Sequence, residues 1–104
     1  MIMNEFLPDF SKRMFFFYKK LIFEKKEFVI SKRILEESLS AAINVKTNCY
    51  TDALMNLQKL DTWLCLLKFG RFCDNSSIRK CLEYSDFMKS LIKNQNSKYV
   101  NCAQ

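Results

Sequence analysis

Eight of the 17 lysines and arginines fall in the first 33 residues: Lys12, Arg13, Lys19, Lys20, Lys25, Lys26, Lys32 and Arg33. Cations at helical spacing hold phosphates by charge, without reading base sequence. Lys12 and Lys19 are one heptad apart and share a helix face, as do Arg13 and Lys20. Antiparallel packing of the segments that carry them would bring Lys32 and Arg33 to the same end as Lys19, Lys20, Lys25 and Lys26. Positive potential would then concentrate at that end. The competing reading is a solvated face partly neutralised by Glu24, Glu27, Glu36 and Glu37, since charged helix faces are common. Both readings stay open at the level of sequence.

Other chemistry has little to work with. Histidine is absent, which removes the commonest general base. Glu36 and Glu37 are adjacent and diverge around a helix, which leaves Asp52 and Asp61 as the other carboxylate grouping. The five cysteines (Cys49, Cys65, Cys73, Cys81 and Cys102) are irregularly spaced, with no C-x-x-C and no histidine to complete a zinc site. A single glycine rules out glycine-rich phosphate loops, and the Glu-x-x-His pairs of a di-iron bundle cannot occur. The expectation is a non-enzyme with no metal and no cofactor. Trp63 and Tyr84 could stack on bases, although a tryptophan in a leucine-rich helix is more often core. Asp61 could form a salt bridge near a seam, solvent exposure being the plainer expectation.

The elements that must position these residues are helices. Leu57, Leu60, Leu64 and Leu67 follow a three-four-three spacing that forms one face of a long helix. The rhythm recurs at Phe10, Met14, Phe17 and Leu21, and again at Ile78, Cys81, Ser85, Met88 and Ile92. With one Gly and one Pro in 104 residues, little interrupts these seams. Pro8 and Asp9 suit the first turn of helix one. The charged run at residues 24–27 reads as its closing turn. Helix two draws its core from Ile30, Ile34, Leu35, Leu39, Ala42 and Val45. Thr51 or Asn48 would cap helix three, Gly70 would close it in a left-handed conformation, and Ser76 or Asn75 would cap helix four. The spacing thus predicts helices over about residues 8–23, 28–45, 50–69 and 76–94, with a frayed polar tail at 95–104. Short connections make this a single-domain, all-α, up-down-up-down antiparallel four-helix bundle.

Composition bounds the setting. Apolar residues make up 49% of the chain, with ten Phe, and the formal charge is +6. That balance favours a polyanionic partner, and it also serves to keep a Phe-rich protein soluble. Residues 1–10 mix Asn4, Glu5, Pro8 and Asp9 with apolar residues and do not read as a secretory leader. The longest apolar runs are too short to cross a bilayer, so no integral membrane association is expected. Cys65 and Cys81 fall in or beside apolar helical faces as free thiols, and the expected compartment is the reducing cytoplasm.

Residues 28–34 (Phe-Val-Ile-Ser-Lys-Arg-Ile), then Ala41-Ala42, then Ala53-Leu54-x-x-Leu57-x-x-Leu60-Asp61-x-x-Leu64 resemble a known pattern. It is that of the four-helix-bundle accessory variability proteins of diversity-generating retroelements and the related proteins encoded in 23S rRNA intervening sequences. The likeness covers about residues 22–93 and consists mostly of hydrophobic spacing. It implies a bundle that assembles as a ring-like homopentamer. It also implies a basic surface that binds nucleic acid and engages a partner reverse transcriptase. Lys32 and Arg33 match the family's basic positions at the start of helix two. Where the family commonly closes helix four with Gly-Gly-Trp, this chain has Leu91-Ile92-Lys93-Asn94.

Three functional readings follow. The first is sequence-independent binding of RNA or DNA through the eight cations named above. The second is a protein-interaction or homo-oligomerisation module that docks through Phe15 and Phe16, with no nucleic-acid role. The third is peripheral membrane association through the same aromatics beside Lys19 and Lys20.

Overall fold

A computed structural model describes residues 3–98, which form four helices: α1 (Met3–Phe23), α2 (Ile30–Lys46), α3 (Tyr50–Gly70) and α4 (Asn75–Lys98). Each packs against its two neighbours in the ring α1–α2–α3–α4, in a body of 45 × 22 × 19 Å. This is the all-α antiparallel four-helix bundle that the seams predict. All thirteen seam residues named above in α1, α3 and α4 are buried.

Helix α1 starts at Met3, upstream of the expected boundary at residue 8, so Pro8 stands inside the helix and not in its first turn. The reason is the seam, which continues backwards through Phe6, Leu7 and Met3, all buried. A proline inside a helix costs about 3 kcal/mol. Burying three large apolar side chains at about 1.5–3 kcal/mol each outweighs that.

Helix α2 keeps part of the expected core, with Ile34 and Val45 buried and Ile30 and Ala42 packed against it, but its buried face is turned towards residues the spacing did not name. Its core residues are Ser31, Ile34, Ser38, Ala41 and Val45, while Leu39 is 51% exposed. The two serines look polar in sequence, yet Ser31 Oγ donates to the Glu27 carbonyl and Ser38 Oγ to the Ile34 carbonyl, each at 2.7 Å. Hydroxyls bonded back to the preceding turn can be buried without loss, and small side chains let α3 approach closely. The α2–α3 seam is further keyed by Asn44 Nδ2 donating to Asn56 Oδ1 (2.7 Å) and Asn56 Nδ2 donating to Glu37 Oε1 (3.0 Å).

Across the α3–α4 seam, Asp61 pairs with Lys89 and is half-buried, where exposure to solvent was the plainer expectation. Cys65, expected near an apolar face, is exposed; Cys81 is buried. Helix α4 continues through Lys98, so the first four residues of the expected frayed tail are helical; residues 99–104, with Cys102, lie outside the described residues. No helix is long and apolar enough to cross a membrane, among the described residues.

Candidate nucleic-acid interface

The outward ridge of α1 interleaves cations with aromatic rings. Lys12 Nζ lies 6.0 Å from the Phe16 ring centre and Lys19 Nζ lies 5.7 Å from that of Phe15. Phe15 is 47% and Phe16 55% exposed, and Phe15 stacks on Tyr18. The two ammonium groups lie over the rings, so the ridge alternates positive charge with exposed apolar area.

Arg13 and Lys20 sit one step around the helix and face α4. The Arg13 guanidinium packs over Tyr84 at 5.0 Å, and Tyr84 in turn meets Phe6. Lys20 Nζ donates to Ser77 Oγ at 3.4 Å. That bond ties the end of α1 to the start of α4 and brings the α1–α2 and α3–α4 connections side by side.

The sharp reversal between α1 and α2 has its own internal lock. Glu27 is buried, and its carboxylate accepts the backbone N–H groups of Val29 (3.0 Å), Ile30 (2.8 Å) and Ser31 (2.6 Å). It caps the N-terminus of α2, a role the sequence reading gave to no residue. Lys26 precedes it with φ 56°, in the left-handed region.

The α3–α4 connection departs from expectation in the same way. Gly70 is the last residue of α3 and has no positive φ; the left-handed residue is Arg71, φ 57°. Gly70 matters for space, since a Cβ there would come within 2.5 Å of the Phe72 ring. The Arg71 and Phe72 N–H groups donate to the Lys68 and Leu67 carbonyls and close the helix. Before α4, Ser77 Oγ donates to Asp74 Oδ1 at 2.8 Å, which fastens the first turn around Asp74 and not around the expected Asn75 or Ser76. At the other end of the bundle, Cys49 precedes α3 with no side-chain cap, so neither Asn48 nor Thr51 caps it.

Electrostatics follow from this geometry. The Ser77 hydroxyl, with Lys20 and Lys25 nearby, holds the Asp74 carboxyl below the usual carboxylate range. Burial pushes the Cys73 thiol up, Asp74 adds to that, and Lys20 and Lys25 oppose it. Burial also pushes Cys81 up to about 12. Among the described residues, no group of Cys, Asp and Glu is arranged to hold a metal ion.

The eight cations named from sequence are therefore not one continuous surface. Lys12 and Lys19 share the α1 ridge, while Lys20 and Lys25 gather at the paired connections with the exposed Lys26. Lys32 and Arg33 are adjacent on α2 and point about 100° apart; Arg33 pairs with Glu36 at 3.4 Å. The connections and the helix turns that flank them add residues absent from that set: exposed Lys68, Arg71, Arg79 and Lys80, and the exposed rings of Phe23, Phe28, Phe69 and Phe72. Their signal was present in the topology, because an up-down-up-down bundle puts its first and third connections at one end. Trp63 and Tyr84 are half-buried and pack on the core.

Among solved structures, the chain is similar to a protein of unknown function from the S23 ribosomal protein family of Bacteroides thetaiotaomicron. The TM-score is 0.82 at 24% identity, over 88% of this chain and 94% of that one. At that identity the likeness is one of fold. No protein-family model and no curated protein matches the chain.

Proposed function

We propose that the chain is a non-enzymatic RNA-binding bundle that holds phosphates at the end where its first and third connections meet, with the α1 ridge extending that surface. The observation that carries this reading is the unequal use of charge there. Glu27 is buried under the α2 N-terminus, Asp74 accepts the Ser77 hydroxyl and Glu36 pairs with Arg33, whereas Lys25, Lys26, Lys68, Arg71, Arg79 and Lys80 are exposed. The exposed lysines and arginines outnumber the exposed carboxylates near them, Glu24, Asp74 and Glu83, and such an excess is what a phosphate backbone neutralises. RNA is favoured over DNA because the sequence resemblance to proteins of 23S rRNA intervening sequences and the fold likeness to the S23 family point the same way. A cytoplasmic setting fits four free thiols at Cys49, Cys65, Cys73 and Cys81. The homopentamer and the reverse-transcriptase partner rest on the sequence resemblance alone.

Fluorescence anisotropy with a labelled RNA hairpin tests the reading. Micromolar or tighter binding that weakens steeply as salt rises is the expected result. Absence of binding at low salt would make the positive charge a solubility feature. A second reading, docking of another copy or another protein on α1, draws on the exposure of Phe15 and Phe16. Its test is light scattering of the wild type and of the Phe15→Ala/Phe16→Ala variant; a drop in mass in the variant would favour it.

A further inference from the structure

The ring of Phe69 is 82% exposed, more than the other large apolar side chains on the surface. It lines an open cleft of about 550 Å³ at the α3–α4 connection together with Lys68, Arg71, Cys73, Asp74 and Asn75. A phenylalanine this exposed adds little to the core, and its open face is available to a flat ligand. The backbone around it is fixed. Arg71 holds a left-handed conformation, its N–H donates to the Lys68 carbonyl, and the Phe72 ring lies over the position of Gly70, where a side chain would displace it. The cleft falls within the size range of small-ligand sites, roughly 300–1,000 Å³.

We propose that this cleft takes one unpaired nucleotide of the bound RNA, its base stacked on Phe69 and its phosphates on Lys68 and Arg71. The proposal rests on the RNA-binding reading above and gives it a substrate class: single-stranded or looped RNA over duplex. Asp74 also lines the cleft and repels phosphate, which leaves Lys68 and Arg71 as the residues that hold the phosphates. Asp74 and Asn75 offer the cleft a carboxylate and an amide that can accept and donate hydrogen bonds to a base. Bases in a duplex are stacked on each other and offer no free face, whereas unpaired bases can splay onto an aromatic ring. The occupant is an anion because two exposed cations, Lys68 and Arg71, line the cleft against the one carboxylate of Asp74.

Anisotropy titrations of a labelled RNA of about 12 nucleotides, alone and annealed to its complement, test this directly. The wild type is expected to bind the single strand about tenfold more tightly, in line with base–aromatic stacking. Phe69→Ala removes that preference and leaves duplex affinity unchanged, and Phe69→Trp restores it. Phe69 is exposed at a helix end, so both variants are expected to keep the wild-type circular dichroism spectrum. Equal wild-type affinity for the two forms, or a preference that survives Phe69→Ala, would overturn the nucleotide site and leave the RNA reading standing. No binding of either form at low salt would overturn both. Phe69-dependent binding to phosphatidylserine–phosphatidylcholine vesicles, with no single-strand preference, would reassign the ring to a lipid surface.

Discussion

At the end of the bundle formed by the first and third connections, the left-handed residues are Lys26 and Arg71; in the second connection, at the opposite end, the left-handed residue is Asn48. Asparagine is among the residues that tolerate this conformation best, because its short amide can satisfy nearby backbone groups. Lysine and arginine have no such help, and glycine would serve the backbone better at both positions. The second connection is thus chosen for its turn. The paired connections carry charge at a cost in backbone strain, and they also expose Phe23, Phe28, Phe69 and Phe72. Under the proposed function, the strained lysine and arginine are the residues that meet phosphate, whereas Asn48 serves only its turn.

The largest expected effect concerns the thiol beneath the basic end. Cys81 is raised to about 12 by burial from an ordinary value of 9.0. The folded protein therefore holds this proton more tightly than the unfolded chain. Stability is unaffected by this group below pH 9 and falls as pH rises from there towards 12, by on the order of a few kcal/mol. Urea midpoints across that range should show the decline, and Cys81→Ala should flatten it.

Next in size is Glu27→Ala, which strips a buried carboxylate from three N–H groups and should cost about 2–3 kcal/mol in urea unfolding. Its counterpart at the far end of α2 is Thr47→Ala, which loses exposed hydroxyl contacts to the Ile43 and Asn44 carbonyls and to Cys49 Sγ. It should stay within about 0.5 kcal/mol. Equal effects would mean that the two turns are locked alike, and the contrast between the ends would lose its structural half.

Lys26→Gly and Arg71→Gly should each raise stability by up to about 1 kcal/mol, less the entropy that glycine adds to the unfolded chain. Each should also weaken RNA binding several-fold. The smallest effect is expected at Asn48→Gly, which should change stability by a few tenths of a kcal/mol, on the order seen for tolerant left-handed residues, with no change in RNA affinity. If Arg71→Gly stabilised the protein and left affinity intact, the strained arginine would have no binding role.

The bundle was legible because the seams of α1 and α3 are large apolar side chains at unbroken spacing, and that of α4 keeps the spacing with Cys81 and Ser85 among its apolar residues. Where the reading slipped, the deciding contact was one that residue type conceals. Ser31 and Ser38 are core because their hydroxyls bond back along α2, while Leu39 next to them is exposed. Gly70 marks the end of α3 but serves the Phe72 ring and leaves the left-handed turn to Arg71. Glu27 looks like one more charge in a charged loop, yet it is the cap of α2. The candidate site was half legible. The cations of the first 33 residues were visible as a run, whereas their division between the α1 ridge and the paired connections required knowing which way each side chain turns.

The most direct test of the account is RNA affinity of the Lys19→Glu/Lys20→Glu double variant, measured by anisotropy beside a thermal unfolding curve and a Lys46→Glu control from the opposite end. The expected result is a loss of about tenfold or more for the double variant, with a lowered unfolding midpoint from the lost Lys20–Ser77 bond but a cooperative folded baseline, and little change for the control. Undiminished affinity in a folded double variant, or an equal loss in Lys46→Glu, would contradict it.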